Sequence, residues 1–418
     1  MNVVCVMGLG YIGLPTATTL ARCDFKVFGF DSQERVREHV KSGKAHIVEP
    51  GLQDWLEEAI ASQNLSVVEE PAAADVFIIC VPTPVQKAGA SKVPDLTFVE
   101  NATDTIAPLL KPGNLVILES TSPVGTTRRI AERAHERLNQ EPGSIHFAYC
   151  PERVLPGRIA EELVQNDRVV GGVDQVSTEK AAAFYRAWIS GKVLETTAET
   201  AEMTKLAENS FRDLNIAFAN ELSMICDDFS IDPYELIELA NRHPRVNILQ
   251  PGPGVGGHCI AVDPWFLVDS SAEKAKIIRT AREVNDSKTE YVVDKVKSAA
   301  RRFRQAEGRS PKIAAFGLAF KPDIDDVRES PAMEIAEELR RSGEEVLFVD
   351  PYVEAREGLE LTTADKALQD ADLNLLLVKH RPFLDLKFPT ERTLDFCGLL
   401  KSTGSPLFAT EKSKIERT

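Results

Sequence analysis

The run Gly8-Leu9-Gly10-Tyr11-Ile12-Gly13 follows the apolar segment Val3 to Met7 and opens a stretch of helix formers. Strand, glycine-rich turn and helix in that order commit a chain to a βαβ unit whose helix N–H groups meet a pyrophosphate. The glycines permit the tight turn and a close approach of backbone to ligand. Lys26 to Phe30 reads as the next strand, and Asp31 ends it where a dinucleotide site carries the acid that bonds the adenosine ribose. A carboxylate there repels a 2′-phosphate and favours NAD over NADP. Arg35 pulls the other way, and a plain turn residue is the competing reading of Asp31.

The pattern continues. Val76 to Val81 and Leu115 to Leu118 read as buried parallel strands, and Ser144 to Cys150 and Val169 to Gly172 as further strands, each followed by a longer amphipathic stretch. That alternation predicts a doubly wound α/β sheet, a Rossmann-type dinucleotide-binding domain over residues 1–197. Thr200 to Phe229 offers helix formers with no Gly or Pro, Asp232-Pro233 starts another helix, and helical patterning resumes from about Ala272 to Phe303. A central helical domain over 198–306 follows, although a long apolar-faced helix is equally a dimer seam. Glu307 to Pro311 reads as a linker. Strands at Lys312 to Phe316, Glu345 to Val349 and Leu373 to Val378, with a helix from Pro331 to Arg341, make a second Rossmann-like domain over 307–418.

Composition narrows the class. At 418 residues the chain exceeds one ordinary core, and 43% hydrophobic with 27% charged residues suits a folded protein. The net charge of −15 argues against broad nucleic-acid binding. No apolar run reaches the ~18 residues of a membrane span, and Met1 leads straight into Val3 to Val6 instead of a basic, cleavable signal. The expected location is therefore cytoplasmic, without membrane insertion. Seven cysteines, with no CxxC pair and no His/Cys spacing for zinc, predict neither a disulfide framework nor a metal site.

Most cysteines sit in apolar runs such as Phe77 to Cys80, but Cys259 does not. It follows Pro251-Gly252-Pro253-Gly254-Val255-Gly256-Gly257-His258, a loop that lets backbone approach a ligand, and precedes Asp263 by four residues. Lys205, Asn209 and Arg212 recur at i, i+4 and i+7 on one helix face. A solvated row is the usual origin of such spacing. A thiol, an amine and an amide beside a dinucleotide site also make a nucleophile, an acid/base and an oxyanion partner. Thr83 and Thr121 follow strands that should line the cofactor crevice, where their hydroxyls either meet a ligand or cap turns. Ala315 to Lys321 lacks the third glycine of a cofactor fingerprint. There Lys321 and Arg328 supply charge and Phe320 a stacking face for another phosphate-bearing ligand.

On Gly8 to Gly13, Cys150 to Gly157, Lys205 to Asn220, Gly254 to Asp263 and Phe316 to Pro331, the chain resembles the UDP-glucose/GDP-mannose dehydrogenase family from Met1 to about Phe396. The segments Cys150 to Gly157, Asn241 to Asn247 and Gly256 to Cys259 are most similar to members acting on UDP-N-acetyl-D-mannosamine. The resemblance implies an NAD-dependent four-electron oxidation of that nucleotide sugar to its uronate, for surface polysaccharide precursors, by a homodimer or larger homo-oligomer. It implies Cys259 as covalent nucleophile, Lys205 with Asn209 as acid/base and oxyanion group, Asp263 as the residue managing water, and Glu152 as a carboxylate near the reacting carbon. Tyr11, Ile12, Asp31, Arg35, Thr83 and Thr121 match the cofactor lining. Arg328 is grouped with them or reaches a neighbouring subunit. Arg153, Val154, Arg212, His243, Arg245, Gly256, Phe320 and Lys321 match substrate contacts, together with Lys205 and Asn209. Glucose-type members carry a second glutamate where this chain has Pro156.

Two rival classes stand beside this. A two-electron β-hydroxyacid-type dehydrogenase has no use for Cys259 or a third domain, and UDP-N-acetylglucosamine, UDP-glucose or GDP-mannose would serve the same chemistry. An NAD-sensing protein that keeps the fold without activity would not need Lys205, Asn209 and Cys259 together.

Overall fold

The computed structural model describes residues 2–47, 49–88, 91–138, 143–154, 157–355 and 358–400. It divides into two compact units, Met1–Glu208 with Trp265–Ser270, and Asn209–Pro264 with Ser271–Thr418.

The first unit contains β1 Val3–Met7, β2 Lys26–Phe30, β3 Leu65–Val67, β4 Val76–Ile79, β5 Val85–Ala88, β6 Ser91–Pro94, β7 Leu115–Leu118, β8 His146–Tyr149, β9 Arg168–Gly172 and β10 Val193–Thr197. Eight of them form one sheet in the order β10-β9-β8-β7-β4-β1-β2-β3, and β5 pairs with β6 as a separate antiparallel ladder. Every neighbour in the large sheet is parallel except β8 against β9, where Ala148 faces Gly172 and Tyr149 faces Gly171. Successive residues alternate between two cores. Val4, Val6, Ile78 and Ile117 pack with Leu14, Phe184 and Trp188, while Cys5, Met7, Phe77 and Leu118 pack with Val99, Ile106 and Ile130. Both faces are covered, which is why these strands read as continuous apolar runs. Truncating one of their large side chains, such as the fully buried Phe77, should cost about 3–5 kcal/mol.

The boundary between units cuts the helix Ala198–Phe229. In the second unit its remainder is stapled to the helix Lys276–Glu307 by Asp213 and Arg282, paired at 2.6 Å and both 1% exposed, and by Asn220 donating to Asn285 at 2.9 Å. Removing one member of such a buried pair costs roughly 3–5 kcal/mol because it strands the other charge. Val292, Val296 and Ala300 of the second helix then cover the sheet formed by β11 Lys312–Phe316, β12 Glu345–Val349, β13 Leu373–Leu376 and β14 Thr393–Asp395. That sheet is parallel throughout, in the order β12-β11-β13-β14.

The expected strands at Val3, Lys26, Leu115, Lys312 and Glu345 have the bounds read from sequence, as does the helix Pro331–Arg341. The strand from Val76 stops at Ile79, and the one from Leu373 at Leu376, each followed by a further N–H bonded to the neighbouring strand, Cys80 to Met7 and Leu377 to Phe316. The helix expected from Ala272 runs from Lys276 to Glu307, entering the expected linker, and ends at Gly308 with φ +70°.

Candidate active site

The sheet order reverses between β1 and β4, and a dinucleotide belongs in the crevice at that switch point. The two strand ends pass so close that a Cβ on Gly8, whose φ is +94°, would lie 2.7 Å from the Cys80 carbonyl oxygen. A Cβ on Gly13 would lie 1.8 Å from the Gly8 oxygen, whereas one on Gly10 would meet nothing within 4 Å. Gly8 and Gly13 thus serve the turn, and Gly10 leaves open space for a ligand. The helix Gly13–Arg22 starts without a side-chain cap. Leu14 and Thr16 N–H donate to the Gly10 and Ile12 carbonyls and Pro15 has no N–H, so a phosphate would be met by the glycine turn itself at the positive end of the helix dipole. Asp31 accepts from Leu9 N–H at 2.9 Å and from Gln33 N–H at 2.9 Å, which fixes the carboxylate beside the turn. These features fit NAD.

Arg35 lies exposed on the helix Glu34–Lys41. Its neighbour Arg37, which sequence reasoning missed, donates to the Asp31 and Ser32 carbonyls at 2.7 and 3.2 Å. Thr83 and Thr121 do come together: the Thr83 hydroxyl donates to the Thr121 carbonyl at 2.6 Å. Beneath them, Glu119 accepts from Tyr185 at 2.7 Å and from the Cys80 thiol at 3.2 Å. Burial raises both the Glu119 carboxyl and the Cys80 thiol. Cys80, read as a small hydrophobe, therefore has a polar partner.

Lys205 lies on the part of the helix Ala198–Phe229 that belongs to the first unit. Its ammonium donates to the Glu152 carbonyl at 2.7 Å. One turn earlier the buried Glu202 accepts from Thr127 N–H at 2.8 Å and from the Thr127 hydroxyl at 2.7 Å, tying the helix to the segment after β7. One turn later Glu208 pairs with Arg153 at 2.6 Å. The Glu152 carboxylate does not point to Lys205; it accepts from Arg168 at 2.7 Å and from Arg153 N–H at 2.6 Å. Val154 is half-buried in this segment, and Pro156 lies outside the described residues.

In the second unit Asn209 donates to the Asp263 carboxylate at 2.5 Å, both side chains buried. Asp263 begins the helix Asp263–Ser270, and its N–H donates to the Cys259 carbonyl at 2.8 Å. Cys259 is exposed, as is Cys23, whereas Cys5, Cys150 and Cys226 are buried. The glycine loop before it is packed against Phe320: a Cβ on Gly257 would lie 2.8 Å from that ring, and one on Gly256 2.2 Å from the Glu329 oxygen. The loop therefore needs its glycines in order to lie on the Phe320 segment. Lys321 is half-buried, with its ammonium 6.0 Å from the Phe320 ring centre, and Arg328 forks onto Asp326 at 2.7 and 2.9 Å. Arg212, His243 and Arg245 are exposed and not drawn into these groups.

The turn after β11 repeats the first with different chemistry. Asp350 ends β12 as Asp31 ends β2, and it accepts from Leu318 N–H at 2.7 Å. A fully buried His380 bonds Asp350 at 3.1 Å and accepts from Asp323 N–H at 3.0 Å. The matching strand-end pairs Phe30-Asp31 and Val349-Asp350 were the signal available for this site.

Three models of one family match the chain in order: the NAD binding domain over residues 1–189, the central domain over 199–287 and the UDP binding domain over 314–399. An NDP-N-acetyl-D-galactosaminuronic acid dehydrogenase from Ralstonia nicotianae is 50% identical over 92% of both chains. A UDP-N-acetyl-D-mannosamine dehydrogenase from Campylobacter jejuni is 49% identical over 95% of this chain and 99% of its own. The solved structure of a UDP-D-ManNAc dehydrogenase from Pyrococcus horikoshii superposes with a TM-score of 0.88 at 36% identity, covering 98% of each chain. The chain belongs to the UDP-glucose/GDP-mannose dehydrogenase family and is an NAD-dependent nucleotide-sugar dehydrogenase.

Proposed function

We propose that the chain oxidises UDP-N-acetyl-D-mannosamine to UDP-N-acetyl-D-mannosaminuronate, with Cys259 as a covalent relay. The observation that carries this is the linked set Cys259, Asp263 and Asn209, with Lys205 one helical turn before Asn209. As the free amine, Lys205 takes the proton of the primary alcohol as it becomes an aldehyde, and it returns that proton to the same oxygen as the Cys259 thiolate adds. The thiohemiacetal oxygen then gives the proton back to Lys205 as a thioester forms. Asn209 and the Lys205 ammonium stabilise oxygen charge, and Asp263, held by Asn209, orients the water that releases the carboxylate. NAD, when bound, accepts one hydride from the sugar carbon in each oxidation.

The Glu152 carboxylate, committed to Arg168, is not available as a proton acceptor without breaking that pair. We assign it to positioning. Arg153, Val154, Arg212, His243, Arg245, Gly256, Phe320 and Lys321 are kept as substrate contacts. Arg328 is kept as a cofactor or cross-subunit contact, and residues 1–197, 198–306 and 307–418 as the three domains.

The names of the Campylobacter and Pyrococcus relatives support the mannosamine sugar, and that of the Ralstonia relative favours an N-acetylgalactosamine reading. A panel of UDP-N-acetylmannosamine, UDP-N-acetylgalactosamine, UDP-N-acetylglucosamine, UDP-glucose and GDP-mannose decides between them. The highest kcat/KM belongs to the first, and a tenfold advantage for any other replaces it.

Phe211, Phe218, Ile225 and Phe229 are exposed along the helix Ala198–Phe229 at spacings that keep one face. A second copy of the chain covering this stripe makes a homodimer. Among the described residues no helix is long and apolar enough to cross a membrane. A cytoplasmic enzyme supplying a uronate for surface polysaccharide suits that, because nucleotide-sugar donors are charged and membrane-impermeant.

A further inference from the structure

We propose that Arg168 is a positioning residue for Lys205, acting through the Glu152 peptide; the proposal rests on Lys205 being the acid/base group. The single antiparallel pair of the large sheet produces the arrangement. Its register sets Tyr149 opposite Gly171, and carrying the same register three residues further on each strand brings Glu152 opposite Arg168. The two side chains meet at 2.7 Å and are 6% and 2% exposed.

Arg168 is itself held rigidly. Its second terminal nitrogen donates to the Leu163 carbonyl at 2.9 Å, and its guanidinium lies 5.8 Å from the ring centres of both Tyr185 and Trp188. Burial alone would weaken its charge, but the Glu152 carboxylate more than offsets this, and the guanidinium stays firmly protonated. The other Glu152 oxygen accepts the next N–H, from Arg153, so the carboxylate fixes the plane of the 152–153 peptide. The carbonyl at residue 152 is then left with a defined direction, and it receives the Lys205 ammonium at 2.7 Å.

A lysine has four rotatable bonds, and without a fixed acceptor its ammonium samples many positions. Proton transfer needs one of them, and a misplacement of ~1 Å costs up to about a hundredfold in rate. A buried ion pair is a weak source of net stability but a good source of fixed geometry. Arg168→Lys keeps every charge in this part, namely those of Glu119, Glu152, Arg153, Glu202 and Glu208, and removes the two-pronged grip together with the guanidinium's packing on Tyr185 and Trp188.

The test is the pH dependence of kcat in full-length Arg168→Lys. The expected result is a fall in kcat of roughly tenfold with KM for both substrates within about threefold. The limb of the profile that depends on Lys205 is displaced from its position in the unmodified enzyme, because the ammonium no longer meets a fixed acceptor. An unchanged kcat, or a kcat lowered by one factor at every pH, overturns the proposal, since a merely structural role would only reduce the active fraction. Should Arg168→Lys not fold, the paired Glu152→Gln, Arg168→Gln variant, which buries no charge at either position, takes its place with the same expected limb shift. Lys205→Arg is the control: if the limb stays put there, the assignment of Lys205 fails independently of Arg168.

Discussion

The Lys205 ammonium donates to the main-chain carbonyl of Glu152 at 2.7 Å and not to its carboxylate. The lysine is thus aimed by a neutral acceptor, which orients it without adding a full counter-charge. Replacing Lys205 by Met should lower kcat by about 10²–10⁴, the usual worth of a placed acid/base group, while NAD affinity changes less than threefold. Steady-state kinetics with calorimetric NAD binding checks this. A loss confined to NAD affinity would place Lys205 in the cofactor pocket instead.

Cys259 lies in a loop whose glycines are demanded by Phe320 and Glu329, so the thiol is presented by backbone that cannot easily be rebuilt. Cys259→Ser should lose nearly all turnover and keep NAD binding, because a hydroxyl is a far weaker nucleophile than a thiolate. Mass spectrometry of stalled unmodified enzyme should find the sugar acyl group on the Gly254 to Asp263 peptide.

Asp31 serves two roles, since its carboxylate also accepts the Leu9 and Gln33 N–H groups. Asp31→Asn should therefore narrow the preference for NAD over NADP and also weaken NAD itself, by roughly tenfold for one charged hydrogen bond. The ratio of specificity constants for the two cofactors measures the first effect. An equal preference in the unmodified protein would show that Arg35 or Arg37 dominates.

The Asp350 carboxyl is held below the ordinary range: burial alone would raise it, but the His380 ring and the Leu318 and Tyr352 N–H groups outweigh that. A carboxyl depressed on folding contributes stability above its unfolded value near 4, and that stability is lost as pH falls through the folded value. Asp350→Asn should destabilise the second unit by roughly 1–3 kcal/mol at pH 7. The gap from the unmodified protein should shrink as denaturation is repeated at pH 4 and then 3. A gap constant across that range would mean the charge is not involved.

Much of the fold was legible because parallel strands buried on both faces are written as unbroken apolar runs, as in Val76-Phe77-Ile78-Ile79. Leu65–Val67 and Thr393–Asp395, three residues each, and the polar hairpin strands Val85–Ala88 and Ser91–Pro94 carry too little pattern to register. The candidate site was legible where spacing is local, as for Gly8 to Gly13 or Lys205 and Asn209. It was not where pairing is remote. Nothing in the residues says that β9 runs against β8, yet that reversal sets Arg168 on Glu152. Likewise, His380 reaches Asp350 only because β12 and β13 flank β11.

The account turns on one site carrying out both oxidations without releasing an aldehyde. Counting NADH formed per sugar acid, with a trap for free aldehyde in the same reaction, tests it most directly. Two NADH per acid with no trapped aldehyde is the predicted result. One NADH per turnover with aldehyde accumulating in the trap would contradict it.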